Sequence, residues 1–155
     1  MRVSLGLQLP ILALAFASLN MLAAEKRISR ADLPAPVRKT ADEQAKGATA
    51  RGYSKDIEDG KVEYEVQAVV NGQNKDITIA PDGNLIEIEE QVSIDALSSK
   101  VRSGLIAKAA NGKITKVESL TKHGKIVAYE AQVLTAGKRS EVQVGPDGKG
   151  LSHEE

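Results

Sequence analysis

One stretch of twenty residues occurs twice in the chain and limits its possible folds more than any other feature. Residues 64–83, YEVQAVVNGQNKDITIAPDG, are followed 65 positions later by residues 129–148, YEAQVLTAGKRSEVQVGPDG. Both copies open with Tyr-Glu, continue with alternating apolar residues and close with Pro-Asp-Gly. Such alternation is typical of half-buried strands, and Asn-Gly and Pro-Asp-Gly are turn sequences. The chain is therefore predicted to contain two copies of one small unit.

A helix is predicted before each pair of strands, because apolar residues there recur every three or four positions. The first set is Leu33, Val37, Ala41, Ala45 and Ala48, and the second is Leu97, Val101, Leu105 and Ala109. Pro34 and Pro36 suit the first turn of the first helix, which is expected to fray by Arg51–Gly52. Either Ser93 or Asp95 is expected to cap the second helix.

These elements predict an α+β fold with two tandem repeats, residues 25–90 and 91–155. Each repeat is expected to be one helix packed on a three- to four-stranded antiparallel sheet. The two sheets either join into one continuous sheet or pack on each other. The first strand is predicted at residues 53–57, and the last strand of the first repeat buries either Leu85 or Ile86 and Ile88. Residues 152–155 are expected to be mobile.

The N-terminus resembles an export signal. Arg2 precedes an apolar run at residues 11–22, and Ala23 and Ala24 come before the charged Glu25. This layout predicts a signal peptide, residues 1–24, that is cleaved to leave a periplasmic or secreted protein. The alternative is a membrane anchor, but the run is short for the ~20 residues that a bilayer requires. No second apolar segment follows, so no membrane association is expected after cleavage.

Composition excludes several classes of function. The chain has no cysteine, so it forms neither a disulfide framework nor a thiolate metal site. Its formal net charge is zero, which argues against a nucleic-acid partner. There is no phosphate-binding glycine loop and no serine-nucleophile motif, so no cofactor and no catalytic residue are predicted.

Acidic side chains gather on the predicted outer face of the first sheet. They are Glu63, Glu65, Asp76, Glu87 and Glu89, and Lys61 is the basic residue expected among them. Such a face is predicted to bind a basic protein surface, a cationic peptide or a divalent cation. The alternative is a solvated sheet face without a ligand. The grouping depends on strand register, because a slip of one residue exchanges the two faces.

Other candidate sites are weaker. Asp56, Glu58 and Asp59 before Gly60 lack the spacing of an EF-hand loop and are assigned to a hairpin turn. His123 is placed in a turn and His153 in the tail, so neither has metal-binding partners at suitable spacing, and no metal site is predicted. Tyr64 and Tyr129 fall on the inner faces of their strands and are predicted to be core residues.

The Tyr-Glu strand, short turn, second strand and Pro-Asp-Gly, together with LPAPVRKTA at residues 33–41, resemble the PepSY-like family. The resemblance is strongest to its beta-lactamase-inhibitor-like branch, and it covers residues 28–89 and 92–151. The second copy departs from the pattern, since LSSKV at residues 97–101 replaces LPAPV.

The resemblance implies a binding role. Related modules occur in propeptides of secreted metallopeptidases, which they are thought to restrain, and the beta-lactamase inhibitory protein binds its target across an exposed sheet. We therefore expect an exported non-enzymatic module that modulates or inhibits another envelope protein, such as a peptidase. The alternative is an envelope sensor domain for a small ligand or a cation.

Overall fold

A single antiparallel sheet of eight strands forms the centre of the molecule. The computed structural model describes residues 26–58 and 60–155. The strands follow one another across the sheet in chain order. They are β1 (Lys26–Ile28), β2 (Thr49–Glu58), β3 (Lys61–Val70), β4 (Gln73–Ile79), β5 (Leu85–Gln91), β6 (Lys113–Lys122), β7 (Lys125–Thr135) and β8 (Lys138–Val144).

The prediction of two tandem helix-on-sheet repeats is wrong. β5 and β6 pair in antiparallel register from Glu87↔Lys122 to Gln91↔Glu118, and this pairing joins all the strands into one sheet. The physical reason is that an unpaired β5 would present a row of free backbone donors and acceptors at a sheet edge. Pairing with β6 satisfies these groups. The local periodicity of the sequence cannot reveal this pairing.

Two helices, α1 (Ala35–Gln44) and α2 (Ser99–Ala109), cover the same face of the sheet. Ile88 packs in the core beneath α1, and Val117 belongs to the core beneath α2. Glu90 lies two residues after Ile88, Ser119 lies two residues after Val117, and Glu90 pairs with Ser119. Because every second residue of a strand lies on the same face, both cores are on one side of the sheet. The opposite side, called the open face below, carries neither helix.

Each helix buries most of the apolar positions predicted for it, but Ala45 and Ala48 follow the end of α1 and are only half-buried. Val37 and Ala41 of α1 are buried against β3 and β4, and Val101, Leu105 and Ala109 of α2 are buried against β6, β7 and β8. Leu33 and Leu97 precede the helices and pack against the same two cores.

The predicted ends of the helices need correction. α1 ends at Gln44 rather than near Arg51–Gly52, because Gly47 has a φ of +82° and Thr49 already pairs with Val69 in the sheet. The strand predicted at residues 53–57 corresponds to β2, which is accordingly longer than predicted, and β1 was not predicted. The cap of α2 is Ser98, whose Oγ accepts a hydrogen bond from the Val101 N–H at 3.3 Å.

Ser93 instead caps a short 3-10 turn, Ile94–Ala96, where its Oγ accepts a hydrogen bond from the Asp95 N–H at 3.3 Å. Neither residue predicted as the helix cap therefore holds that position.

Turns place the strands in register. The predicted turns at Asn71-Gly72, His123-Gly124 and Ala136-Gly137 are confirmed as two-residue hairpins in which both residues have positive φ. Both Pro-Asp-Gly turns are also confirmed. The turn at residues 146–148 packs on α2, and a Cβ on Gly148 would lie 2.2 Å from the Lys100 carbonyl oxygen.

A β-bulge between Thr78 and Ile79 decides which residues of β5 are buried. Leu85 pairs with Ile79, whereas Glu87 pairs with Thr78. Leu85 and Ile88 therefore both pack in the first core, and Ile86 between them lies on the open face. Strict alternation fails here because the bulge adds one residue to the strand.

Candidate functional site

The open face carries all five acidic residues that were predicted to share a surface. Glu63 and Glu65 flank the buried Tyr64 and therefore point away from the helices. On the neighbouring strands, Asp76 pairs with Glu89 and Thr78 pairs with Glu87. The register of β3, β4 and β5 thus brings the predicted side chains onto one side of the sheet.

Four of these residues, Glu63, Glu65, Glu87 and Glu89, line a groove of about 620 Å³. The lining also includes Glu154 and Glu155 of the C-terminal tail. Seven of the residues lining the groove are acidic and two are basic, so the groove has a negative potential. Its volume falls within the range of ~300–1,000 Å³ that is usual for ligand pockets.

Lys122 of β6 lies in the groove, and sequence analysis missed it. Its Nζ is 3.2 Å from Oε2 of Glu87 and 3.5 Å from Oε2 of Glu155. Burial acts against the charge of Lys122, but the hydrogen bond and the attraction from Glu87, aided by Glu155, outweigh it. The pKa of this ammonium group is therefore raised.

The C-terminal tail contacts the open face, which was not predicted. The Glu155 N–H donates a hydrogen bond to Oε1 of Gln143 at 2.9 Å, in addition to the ion pair between Glu155 and Lys122. These contacts place two tail carboxylates, those of Glu154 and Glu155, at the side of the groove formed by β6.

A second cluster adjoins the groove and contains Asp76, Glu89 and Glu118. Each contributes one carboxylate oxygen, and these oxygens all lie within 4.8 Å of one another. Sequence analysis missed Glu118 of β6. Glu118 directly follows the buried Val117, so the alternation of faces along a strand could have placed it on the outer face. Only the β5–β6 pairing brings it close to Glu89.

Glu118 is the most deeply buried member of this cluster, with 2% of its surface exposed. Its Oε2 lies 2.6 Å from Nζ of Lys116. Its Oε1 is also buried but has no hydrogen-bond partner among the described residues. Leaving a buried polar oxygen unpaired is costly, so this atom marks a place where a ligand would be stabilising.

Burial and negative neighbours raise the pKa of the carboxyls around the cluster. Burial, a hydrogen bond with Glu87 and repulsion from Glu87 and Glu118 raise the pKa of Glu89 to about 8. The pKa of Glu130 is also raised, chiefly by burial, although a hydrogen bond from Nε2 of Gln143 at 2.8 Å opposes this effect. Glu89 is therefore mostly protonated at neutral pH when no cation is bound.

Burial also raises the pKa of Glu63, and nearby Glu58 adds to the effect. Glu58 lines the groove and pairs across the hairpin with Lys61. Asp56 accepts a hydrogen bond from the Ile57 N–H at 2.7 Å. Asp59, the third acidic residue of this turn, lies outside the described residues.

The remaining candidates are not members of the cluster. His123 occupies the β6–β7 turn, and His153 lies in the tail with Nε2 3.9 Å from Glu155. Tyr64 is buried in the first core and Tyr129 packs against the second, as predicted.

Comparison with known proteins identifies the fold. A proposed periplasmic protein from Bacteroides eggerthii DSM 20697 superposes with a TM-score of 0.62 at 17% identity, over 76% of this chain and 85% of that one. A DUF2874 family protein from Bacteroides ovatus ATCC 8483 gives 0.60 at 20% identity, over 77% and 84%. A BLIP-like protein from Bacteroides fragilis NCTC 9343 gives 0.57 at 18% identity, over 78% and 85%.

The chain therefore has the fold of BLIP-like and DUF2874 proteins. No protein-family model matches it, and no curated protein matches its sequence. The resemblance to the PepSY-like family stays a prediction. Within residues 26–58 and 60–155, no helix has the length and apolar character needed to cross a membrane. The predicted signal peptide, residues 1–24, lies outside the described residues.

Proposed function

We propose that this chain is an exported, non-enzymatic binding module that holds a basic segment of another envelope protein in the groove of its open face. The observation that carries the proposal is the groove itself, where Glu63, Glu65, Glu87 and Glu89 gather around a cavity of about 620 Å³. A lysine- or arginine-rich segment would complement its negative potential. Binding would modulate the partner, as an inhibitor modulates a peptidase.

The predicted signal peptide supports a location in the periplasm or outside the cell. The fold supports the same location, because the similar protein from Bacteroides eggerthii is described as a proposed periplasmic protein. Fold alone is a weak basis for function, so the proposal depends mainly on the charge and shape of the groove.

The test is affinity capture from an envelope extract with the purified protein and two double variants. Glu63→Gln with Glu65→Gln removes two charges from the groove and keeps the hydrogen bond that Glu65 accepts from Gln67. The matched control, Glu43→Gln with Asp95→Asn, removes two charges from exposed positions outside the groove. Bound proteins are identified by mass spectrometry, and their affinities are then measured directly.

We expect a captured partner with a basic surface that binds the groove variant more weakly. If each charge contributes roughly 0.5–1 kcal/mol, Kd rises by about 5- to 30-fold. The control variant keeps the affinity of the unmodified protein. Equal binding by both variants, or the absence of any captured partner, would refute the acidic-groove proposal.

A further inference from the structure

We propose that Asp76, Glu89 and Glu118 form a binding site for one calcium ion on the open face. The site shares Glu89 with the groove but includes neither Glu63 nor Glu65, and it does not depend on the proposed partner. Both the geometry and the unpaired oxygen of Glu118 support it.

The geometry suits calcium. One oxygen from each carboxylate lies within 4.8 Å of the other two. Two oxygens that bind the same Ca²⁺ at 2.3–2.6 Å lie up to about 5 Å apart, so all three can reach a shared ion with little movement. Calcium tolerates irregular coordination completed by water, whereas magnesium requires a tighter octahedron with oxygens at about 2.0–2.1 Å.

The second observation is the unpaired oxygen. Only 2% of the surface of Glu118 is exposed, and its Oε1 has no hydrogen-bond partner among the described residues. Lys116 pairs with the other oxygen, Oε2, at 2.6 Å. One oxygen of Glu118 thus remains available for a ligand, and it belongs to a carboxylate that is held in place.

The strands and the charges favour an ion over the side chain of a partner. The three ligands come from adjacent strands. Asp76 of β4 pairs with Glu89 of β5. Gln91, the next residue of β5 on the same face, pairs with Glu118 of β6. Such a rigid support holds the ligands in position. A bare ion is small enough to be shared by three carboxylate oxygens that lie within 4.8 Å of one another, one of them from the buried Glu118.

The test is isothermal titration of the purified protein with CaCl₂ after removal of divalent ions with a chelator. We expect one ion per chain, with Kd between roughly 10 µM and 1 mM, the range between sensor and extracellular sites. Glu118→Gln and Asp76→Asn should each weaken binding tenfold or more. Two variants are used because one of them may not fold, and circular dichroism checks the fold of each.

The control is Glu141→Gln, which removes an exposed charge from the same face outside the cluster. It should change the calcium affinity by less than twofold. Equal losses in the control and the cluster variants would show diffuse charge attraction and overturn the site. Failure to saturate by about 10 mM CaCl₂ would also overturn it, and equal affinity for magnesium would overturn the assignment to calcium.

Discussion

Replacing Glu89 by glutamine should stabilise the cation-free protein at neutral pH. Glutamine has the shape of a protonated glutamate but carries no ionisable group. In the folded chain, burial and the nearby Glu87 and Glu118 raise the pKa of Glu89 to about 8, from the ordinary 4.5. The folded protein therefore takes up a proton that the unfolded chain releases at neutral pH.

The sign of the effect follows from this difference in proton binding. Below pH 4.5 the carboxyl is protonated in both states and costs nothing. Stability then falls as pH rises from about 4.5 to about 8. In this range the carboxyl of residue 89 ionises freely in the unfolded chain but stays protonated in the folded protein, so rising pH favours the unfolded state. At pH 7 the difference in pKa corresponds to at most about 3 kcal/mol. Water at the groove screens part of it, so we expect roughly 1–2 kcal/mol.

The assay is urea unfolding of the original protein and Glu89→Gln at several pH values, with a chelator present. The two proteins should have similar stability at pH 4, and the variant should be more stable at pH 7. A flat stability difference across this range would refute the protonation argument. Addition of calcium should then stabilise the original protein and leave the variant nearly unchanged, because Glu89 is one of the proposed ligands.

Three further predictions concern the fold and the N-terminus. Gly148→Ala should destabilise the protein by roughly 2–5 kcal/mol in urea unfolding, because a Cβ would meet the Lys100 carbonyl and φ is positive. The control is Gly137→Ala, where φ is also positive but the space is open. It should lower the free energy of unfolding by only about 1–2 kcal/mol. Leu105→Ala should cost about 2–5 kcal/mol, because Leu105 is fully buried on the inner face of α2, and an effect below about 1 kcal/mol would contradict this core. The mature protein should begin at Glu25, which intact-mass measurement of the exported chain checks; an intact N-terminus would argue against signal cleavage.

The calcium site and the groove share Glu89, so their ligands should influence each other. A bound calcium ion would neutralise part of the charge that attracts a basic partner, and capture from the envelope extract should therefore be compared with and without chelator. Stronger capture without calcium would indicate competition, whereas stronger capture with calcium would indicate that the ion orders the binding surface.

The sequence by itself determined the local elements. Helical spacing placed Val37 and Ala41 on one buried face and did the same for the second helix. Alternation identified the acidic side of β3, and Asn71-Gly72 identified a hairpin. These features depend on neighbours within a few residues, so the local pattern contains the information needed to predict them.

Only the tertiary structure decided how these elements meet. Pairing of β5 with β6 formed one continuous sheet, an arrangement that the sequence had left open, in place of two tandem helix-on-sheet repeats. It also brought Glu118 next to Glu89 and Lys122 next to Glu87. These contacts join residues about thirty positions apart. They are stabilised by backbone hydrogen bonds between two strands, and such bonds leave no mark in the periodicity of either strand.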